Sequence, residues 1–232
     1  MPRKRPTTQP KFENLAELLR DLGDVAPDRV RLDPVPGRAT ERDLLRLHDR
    51  TGRLYELVDG VLVEKVMGTP ESFLASRIGR LLGAYADAHD LGDVAGADAI
   101  LRLLPGVVRL PDVLFVTWDR LPGRVYPSEQ IADLVPDLAV EVISPGNTRG
   151  EIRRKLKEYF LAGVRLVWVV DPKKRTVQVY TAPDRSSTLA DDQTLDGGDV
   201  LPGFELPLRT LFARVPTSGG RPTSRRRKGG AA

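Results

Sequence analysis

The sequence predicts an α/β fold in which a mixed central sheet is flanked by helices. Three observations predict it. Amphipathic helical segments alternate with short apolar runs of strand length through the middle of the chain. The run LAVEVI at 138–143 is apolar at every position but Glu141, as expected of a strand buried on both faces. Two turn signals, Asp59-Gly60 and Asp171-Pro172-Lys173-Lys174, each separate a pair of strand-like runs and read as hairpins.

Residues 12–22 carry Leu15, Leu18, Leu19 and Leu22 at helical spacing, with Gly23 placed to end the helix. Pro27, Pro34 and Pro36 make 26–37 an extended arm. Thr40, with Asp43 three residues on, caps a helix reaching about His48, and Gly52 ends that segment. The runs 54–59 and 61–66 form the first hairpin. Thr69-Pro70-Glu71 opens the longest helix, with Phe73, Leu74, Ile78, Leu81, Leu82 and Tyr85 as its apolar face and an end near His89. Strands are expected at 93–95, 99–104 and 111–117, then an irregular loop over 119–136 punctuated by Pro122, Pro127 and Pro136. After the 138–143 strand, Thr148 caps a helix that runs to Ala162 and stops at Gly163. Runs 164–170 and 176–180 form the second hairpin. Short strand signals around Asp196-Gly197-Gly198-Asp199 and a last turn at 208–212 complete the order.

The chain has 232 residues and no cysteine, which excludes disulfides, thiolate zinc sites, iron–sulfur clusters and cysteine nucleophiles, and suits a reducing cytoplasm. Its two histidines, His48 and His89, are too few for a histidine-rich metal site and read as surface residues, so any metal must be held by oxygen, which points to Mg²⁺ or Mn²⁺. No apolar run is long enough to span a membrane, and the basic start MPRKRPTTQPK lacks the apolar stretch of a signal peptide. Charge is unevenly placed. Residues 1–11 carry four basic residues and 215–232 carry five, with no acids in either. Removing those nine from the formal +4 leaves 12–214 at −5. Both tails are rich in Pro, Gly, Ser and Thr and read as disordered, with a non-specific phosphate affinity of their own.

Two carboxylates stand where burial makes them costly unless they are paired or bind a metal. Asp112 follows Pro111 at the start of VLFV, and Glu141 lies inside LAVEVI on the face opposite Val140 and Val142. If their strands are neighbours, both acids converge on one divalent ion. Lys155 and Tyr159, at i and i+4, share a face of the following helix, with Lys155 at the seam between its apolar and polar sides. Two acids and a lysine around a metal form a phosphodiester-cleaving constellation.

The text around these residues resembles a family. RLYELVDG (53–60), RLPDVLFV (109–116), PDLAVEVISPGN (136–147), RRKLKEYFLAGVRLVWVVDP (153–172) and LDGGDVLPGFELPLRTLF (195–212) together look like the Uma-two family of restriction-endonuclease-like proteins, within the PD-(D/E)xK nuclease superfamily. The resemblance spans about 40–212. It implies a restriction-endonuclease-like core: a mixed central sheet flanked by helices, with the acids at its centre. Asp112 and Glu141 match the metal-binding acids. Ile143 stands where the family pattern has lysine and offers a metal only its backbone carbonyl, so Lys155 supplies the missing ammonium. Glu56 matches a recurrent acid near the start of the domain. The implied organisation is a basic tail (1–11), a helix with a Pro-rich arm (12–39), the nuclease-like domain (40–214) and a second basic tail (215–232).

Structural alternatives stand beside each assignment. Asp112 serves as a strand-edge acid, Glu141 pairs with a helix arginine such as Arg153, Lys155 competes with Lys157, and Glu56 pairs with Arg53 or Lys65. Ser144 and Asn147 read as turn and cap residues, and Tyr159 and Trp168 as core. The expected function is a Mg²⁺- or Mn²⁺-dependent endonuclease acting on DNA in the cytoplasm, with a homodimer implied by the need to cut two strands. The alternative is a non-catalytic nucleic-acid-binding protein on a nuclease fold.

Overall fold

The computed structural model describes residues 12–215. The N-terminal segment forms α1 (Leu15–Asp21), whose first turn is capped by Asn14, and then a 3-10 turn at Pro27–Arg29. Helix α2 (Glu41–Thr51) opens on a reciprocal capping box between Thr40 and Asp43. It continues three residues past the expected His48 because nothing stops it before Gly52, which takes a left-handed φ of 66°. Strands β1 (Tyr55–Val58) and β2 (Val61–Glu64) pair around Asp59-Gly60, where φ is 50° and 79°, the two positive values of a type I′ turn. Helix α3 (Thr69–His89) follows, with Gly68 at its cap position and Pro70 in its first turn. The remaining elements are β3 (Gly92–Gly96), β4 (Leu101–Leu104), β5 (Val107–Arg109), β6 (Val113–Thr117), β7 (Leu138–Val142), α4 (Arg149–Ala162), β8 (Leu166–Asp171), β9 (Thr176–Ala182), β10 (Arg185–Leu189), β11 (Thr194–Gly197), β12 (Leu201–Pro207) and α5 (Leu208–Phe212).

The mixed sheet between helices is present, in six strands ordered β10-β9-β8-β7-β6-β3. Only β7 and β8 run parallel, joined over α4 as a βαβ crossover. A second sheet of four strands, β2-β1-β5-β4, stands beside it, and β11-β12 form a separate hairpin. The second sheet departs from the single central sheet expected, and β5 is the reason. This three-residue strand after the Gly106 turn is too short to show a periodicity, yet it pairs with both β4 and β1. It thereby draws 101–104 out of the central sheet. The chain passes from the second sheet to the first through Leu110-Pro111-Asp112, between β5 and β6. Pro111 has no N–H to leave unpaired at that crossing.

Each side of the six-stranded sheet has its own core. On one side Val113, Phe115, Val140, Val142, Trp168 and Val170 pack with α3, β12 and α5. On the other, Ala139, Val167 and Val169 pack with Ile152, Leu156 and Tyr159 of α4. The 12–39 segment lies on the same body. Leu18, Leu22, Val25 and Val30 cluster with Val58, Val61 and Val63, and Val30 bridges to Val63. At the end of α1 the backbone of Gly23 meets that of Gly150 so closely that a Cβ on Gly23 would stand 2.3 Å from the Gly150 carbonyl carbon. Both positions therefore exclude any larger residue. The two basic tails, 1–11 and 216–232, lie outside the described residues. Among the described residues no helix is long and apolar enough to cross a membrane.

Candidate active site

The seam between the two sheets holds a buried charged network. Glu56 comes from β1 and Arg109 from the end of β5. Asp112 precedes β6, Glu141 lies in β7, and Lys155, Glu158 and Tyr159 come from α4. Strand pairing explains the meeting. Strand β6 runs antiparallel to β7 with Val113 opposite Val140, and the Asp112 amide donates to the Val140 carbonyl at 2.9 Å. That register sets Asp112 beside the carboxyl end of β7. Its Oδ2 accepts from the Val142 amide at 2.7 Å and its Oδ1 lies 2.8 Å from Lys65 Nζ. Lys65 also donates to the Leu110 carbonyl.

Alternation along β7 sends Glu141 away from Val140 and Val142 and toward α4. Lys155 Nζ donates to both its oxygens, at 3.1 and 2.9 Å, and the Tyr159 hydroxyl donates to Oε1. The i, i+4 spacing of Lys155 and Tyr159 is thus used on one carboxylate. Lys155 Nζ also lies 3.0 Å from Glu56 Oε1, so one ammonium joins two carboxylates from two sheets. Arg109 donates to Glu56 Oε2 at 2.6 Å and to Glu158 Oε2 at 2.7 Å. Asp112, Glu141, Glu56 and Lys155 are each 5 % exposed or less.

Burial and pairing set the proton affinities. Burial raises the Glu56 carboxyl, but Lys155, Arg109 and Lys65 outweigh it and hold it well below the usual range. Burial also raises Glu141, and here it prevails over the attraction of Lys155, with the Asp112 charge adding to the rise. Burial pulls Lys155 down, and the Glu141 and Glu56 carboxylates reverse the sign and hold its ammonium well above an ordinary lysine. Tyr159 is raised by burial and by the Glu141 charge, so its hydroxyl stays a donor.

The structure therefore brings Asp112, Glu141, Lys155 and Glu56 together. It corrects the expected structural partners. Glu141 pairs with Lys155, not Arg153, which is exposed. Glu56 pairs with Arg109 and Lys155, while Arg53 turns to Glu64 and Lys65 to Asp112. Lys157 is exposed on α4. Ile143 donates its amide to Val170 O at 2.8 Å and lays its half-buried side chain against the α4 core. Ser144 and Asn147 form the expected turn: Asn147 Oδ1 accepts from the Ser144 amide and hydroxyl, and its amide group donates to Glu151. Trp168 and Tyr159 are fully buried, as expected of core residues. His89 is exposed as expected, and His48 is half-buried with a ring nitrogen 3.0 Å from Arg53 O.

Sequence reasoning missed Lys65 and Arg109 as members of the network. Arg109 stood directly before Leu110-Pro111-Asp112, and an arginine inside an apolar strand run was the available signal. The sequence offers Lys65 only as a partner of Glu56. A further buried acid, Asp137, sits at the other end of β7 and binds Thr117 and Arg120, which assigns it to anchoring the 119–136 loop.

The donor set can be tested against a divalent ion. An ionised carboxylate has roughly four acceptor positions. Among the described residues Asp112 uses two and Glu141 three. Both thus retain acceptor capacity. The described residues contain no group of three or more His, Cys, Asp or Glu placed to hold a metal. Two hard carboxylates fit Mg²⁺ or Mn²⁺, ions that keep several of their own waters and take one or two carboxylates plus phosphate oxygens. A groove of about 380 Å³ between α3 and β3, lined by Ser72, Ser76, Arg80 and Asp93, reaches Asp112.

Comparison with known proteins bears on the family and the fold. The family described as "Uma2: Putative restriction endonuclease" matches residues 42–209. No curated protein matches the chain. Among solved structures, one titled "putative nuclease belonging to DUF820", from Anabaena variabilis, is similar with a TM-score of 0.63 and 18% identity. The match covers 70% of this chain and 92% of that one. At that identity the likeness shows a shared fold.

Proposed function

The chain belongs to the Uma2 family of putative restriction endonucleases, and on that premise we propose that it is a Mg²⁺- or Mn²⁺-dependent endonuclease hydrolysing DNA phosphodiesters. The observation that carries this reading is the meeting of Asp112 and Glu141 from adjacent antiparallel strands, with the Lys155 ammonium 2.9 Å from Glu141 in a buried site. Asp112 and Glu141 would hold the ion, with the Ile143 backbone carbonyl as the third donor the resemblance implies. A bound divalent ion supplies Lewis acidity toward water and phosphate. The protein's own residues do the rest. Lys155 and Lys65 set two positive charges beside the carboxylates, where they offset charge building on an attacked phosphate. Tyr159 and Lys155 together fix the orientation of Glu141. Glu56, held anionic by Arg109 and Lys155, keeps Lys155 protonated and in place. The groove lined by Ser76 and Arg80 offers a phosphate a way to Asp112.

The test is cleavage of plasmid and single-stranded DNA with Mg²⁺ or Mn²⁺, wild type beside Glu141→Gln and Asp112→Ala, with circular dichroism confirming the fold of each. Metal-dependent cutting by the wild type, reduced roughly 10²–10³-fold or more in both variants, is expected. Undiminished cutting in both overturns the assignment of these residues. A folded wild type that retains duplex DNA and cuts nothing moves the reading to a nucleic-acid-binding protein on a nuclease fold. Cutting both strands of a duplex calls for a homodimer in a cytoplasmic enzyme of this kind, and light scattering tests that state.

A further inference from the structure

Resting on the nuclease reading, we propose that a groove beside α4 is the surface that holds the DNA backbone flanking the cleaved bond. The groove, of about 580 Å³, is floored by Val169, Gln178 and Thr188 and walled by Arg149, Ile152 and Arg153 of α4. Ile143, two residues from Glu141, is among its lining residues.

Strand direction places the groove and the carboxylates along one edge of the sheet. Strands β7 and β8 are parallel and end there, while β6 and β9 run against them and begin there. Asp112 immediately precedes β6, Ile143 follows β7, Asp171 closes β8 and Thr176 opens β9, all at that edge. Register carries the same face outward. Glu141 stands opposite Val169, Val169 opposite Gln178, and Gln178 opposite Thr188. Three strand spacings of ~4.8 Å put Thr188 about 14 Å from Glu141, the axial length of about four base pairs.

The chemistry of the walls fits phosphate. Helix α4 divides its side chains between two tasks. Glu151, Lys155, Glu158 and Tyr159 turn to the buried network, whereas Arg149 and Arg153 turn to the groove. Arg29, Arg109 and Arg154 beside the network are all spent on carboxylates, but Arg149 and Arg153 are exposed and have no carboxylate partner among the described residues. The acid in the groove, Asp171, is occupied by its own turn: Oδ1 accepts from the Lys173 and Lys174 amides at 3.0 Å, and Oδ2 lies 3.2 Å from Lys174 Nζ. The groove is thus net positive in a described region that is otherwise acidic, with the neutral donors of Gln178 and Thr188 on its floor. Two guanidinium groups with no carboxylate partner among the described residues, above the side chains of Gln178 and Thr188, suit a phosphodiester backbone without reading bases.

The experiment is fluorescence anisotropy of a labelled duplex DNA bound to the full chain in EDTA, over a salt series, with plasmid cleavage run in parallel. Arg149→Ala/Arg153→Ala is expected to weaken binding at 0.1 M salt by at least about tenfold and to lower the slope of log affinity against log salt by about 2. Arg42→Ala/Arg50→Ala on α2, an equal loss of exposed charge elsewhere, should leave both nearly unchanged. A wild type that cuts DNA while the groove variant binds as tightly as wild type overturns the groove and leaves the nuclease reading standing. An equal loss in the α2 variant overturns it too, since the effect is then one of overall charge. A wild type that neither binds nor cuts duplex overturns both.

Discussion

The two faces of β7 are built from opposite materials on one five-residue strand. Toward α3, Val140 and Val142 enter a wholly apolar cluster that includes Trp168, Phe115 and Phe212. Toward α4, Glu141 enters a network in which five buried acids (Glu56, Asp112, Glu141, Glu151 and Glu158) face the cations of Arg29, Lys65, Arg109, Arg154 and Lys155. The apolar face needs no partner chosen atom by atom, because the hydrophobic effect is non-directional and scales with area. The charged face is held only if every member is paired, since an unpaired buried charge costs several kcal/mol. One face therefore supplies stability that tolerates substitution of similar volume, and the other supplies reactive groups at a fixed geometry.

That contrast can be broken from either side. On the apolar face Trp168→Ala should destabilise by about 3–5 kcal/mol, measured by chemical denaturation. Trp168→Phe should lose much less, because it also removes an indole N–H that has no partner among the described residues. Equal losses for the two would show that the indole's hydrogen-bonding state, not its volume, matters there.

On the charged face Lys155→Met should cost a similar ~3–5 kcal/mol, because it leaves Glu141 and Glu56 buried without their shared cation. Adding Glu141→Gln and Glu56→Gln should restore a large part of that loss, a non-additivity the apolar face would not show. Simple addition of the separate losses would mean that these groups do not act as a network.

The smallest effect expected is in pH dependence. The Glu56 carboxyl is depressed in the folded protein, so its contribution is present above the ordinary 4.5 and is lost as pH falls below it. Glu141 is raised and acts with the opposite sign, removing stability as pH rises through the interval above 4.5. Lys155 is raised, so its contribution is complete below the ordinary 10.5 and is lost only at higher pH. Melting temperature should therefore fall as pH drops below 4.5, and Glu56→Gln should flatten that fall. An acid limb equally steep in the variant would remove Glu56 from the account.

Much of the path was legible in advance, for local reasons. Gly52 and Gly163 stop helices because left-handed backbone suits glycine, Asp59-Gly60 makes a type I′ hairpin, and LAVEV, within the run LAVEVI, is a doubly buried strand. Strand β5 was not legible, because three residues carry no period, and with it went the second sheet. In the site, Asp112 and Glu141 stood out as acids in apolar text, and the face shared by Lys155 and Tyr159 followed from helical spacing. Lys65 and Arg109 escaped because their partners lie 47 and 53 positions away or come from another sheet, distances that no local spacing encodes.

By itself the sequence determined the chemistry available to this protein and the local elements that carry it. It has no thiol and few imidazoles, so any metal falls to carboxylates, and its alternation and caps set which side chains share a face. Only the tertiary structure decided who meets whom. The β6–β7 register sets Asp112 beside the end of β7, the crossing at Pro111 joins two sheets at the site, and α4 sends Lys155 to two carboxylates while turning Arg149 and Arg153 into an open groove. Periodicity along a chain specifies a face, but the partner across that face comes from strand order and register, which depend on the packing of the whole chain.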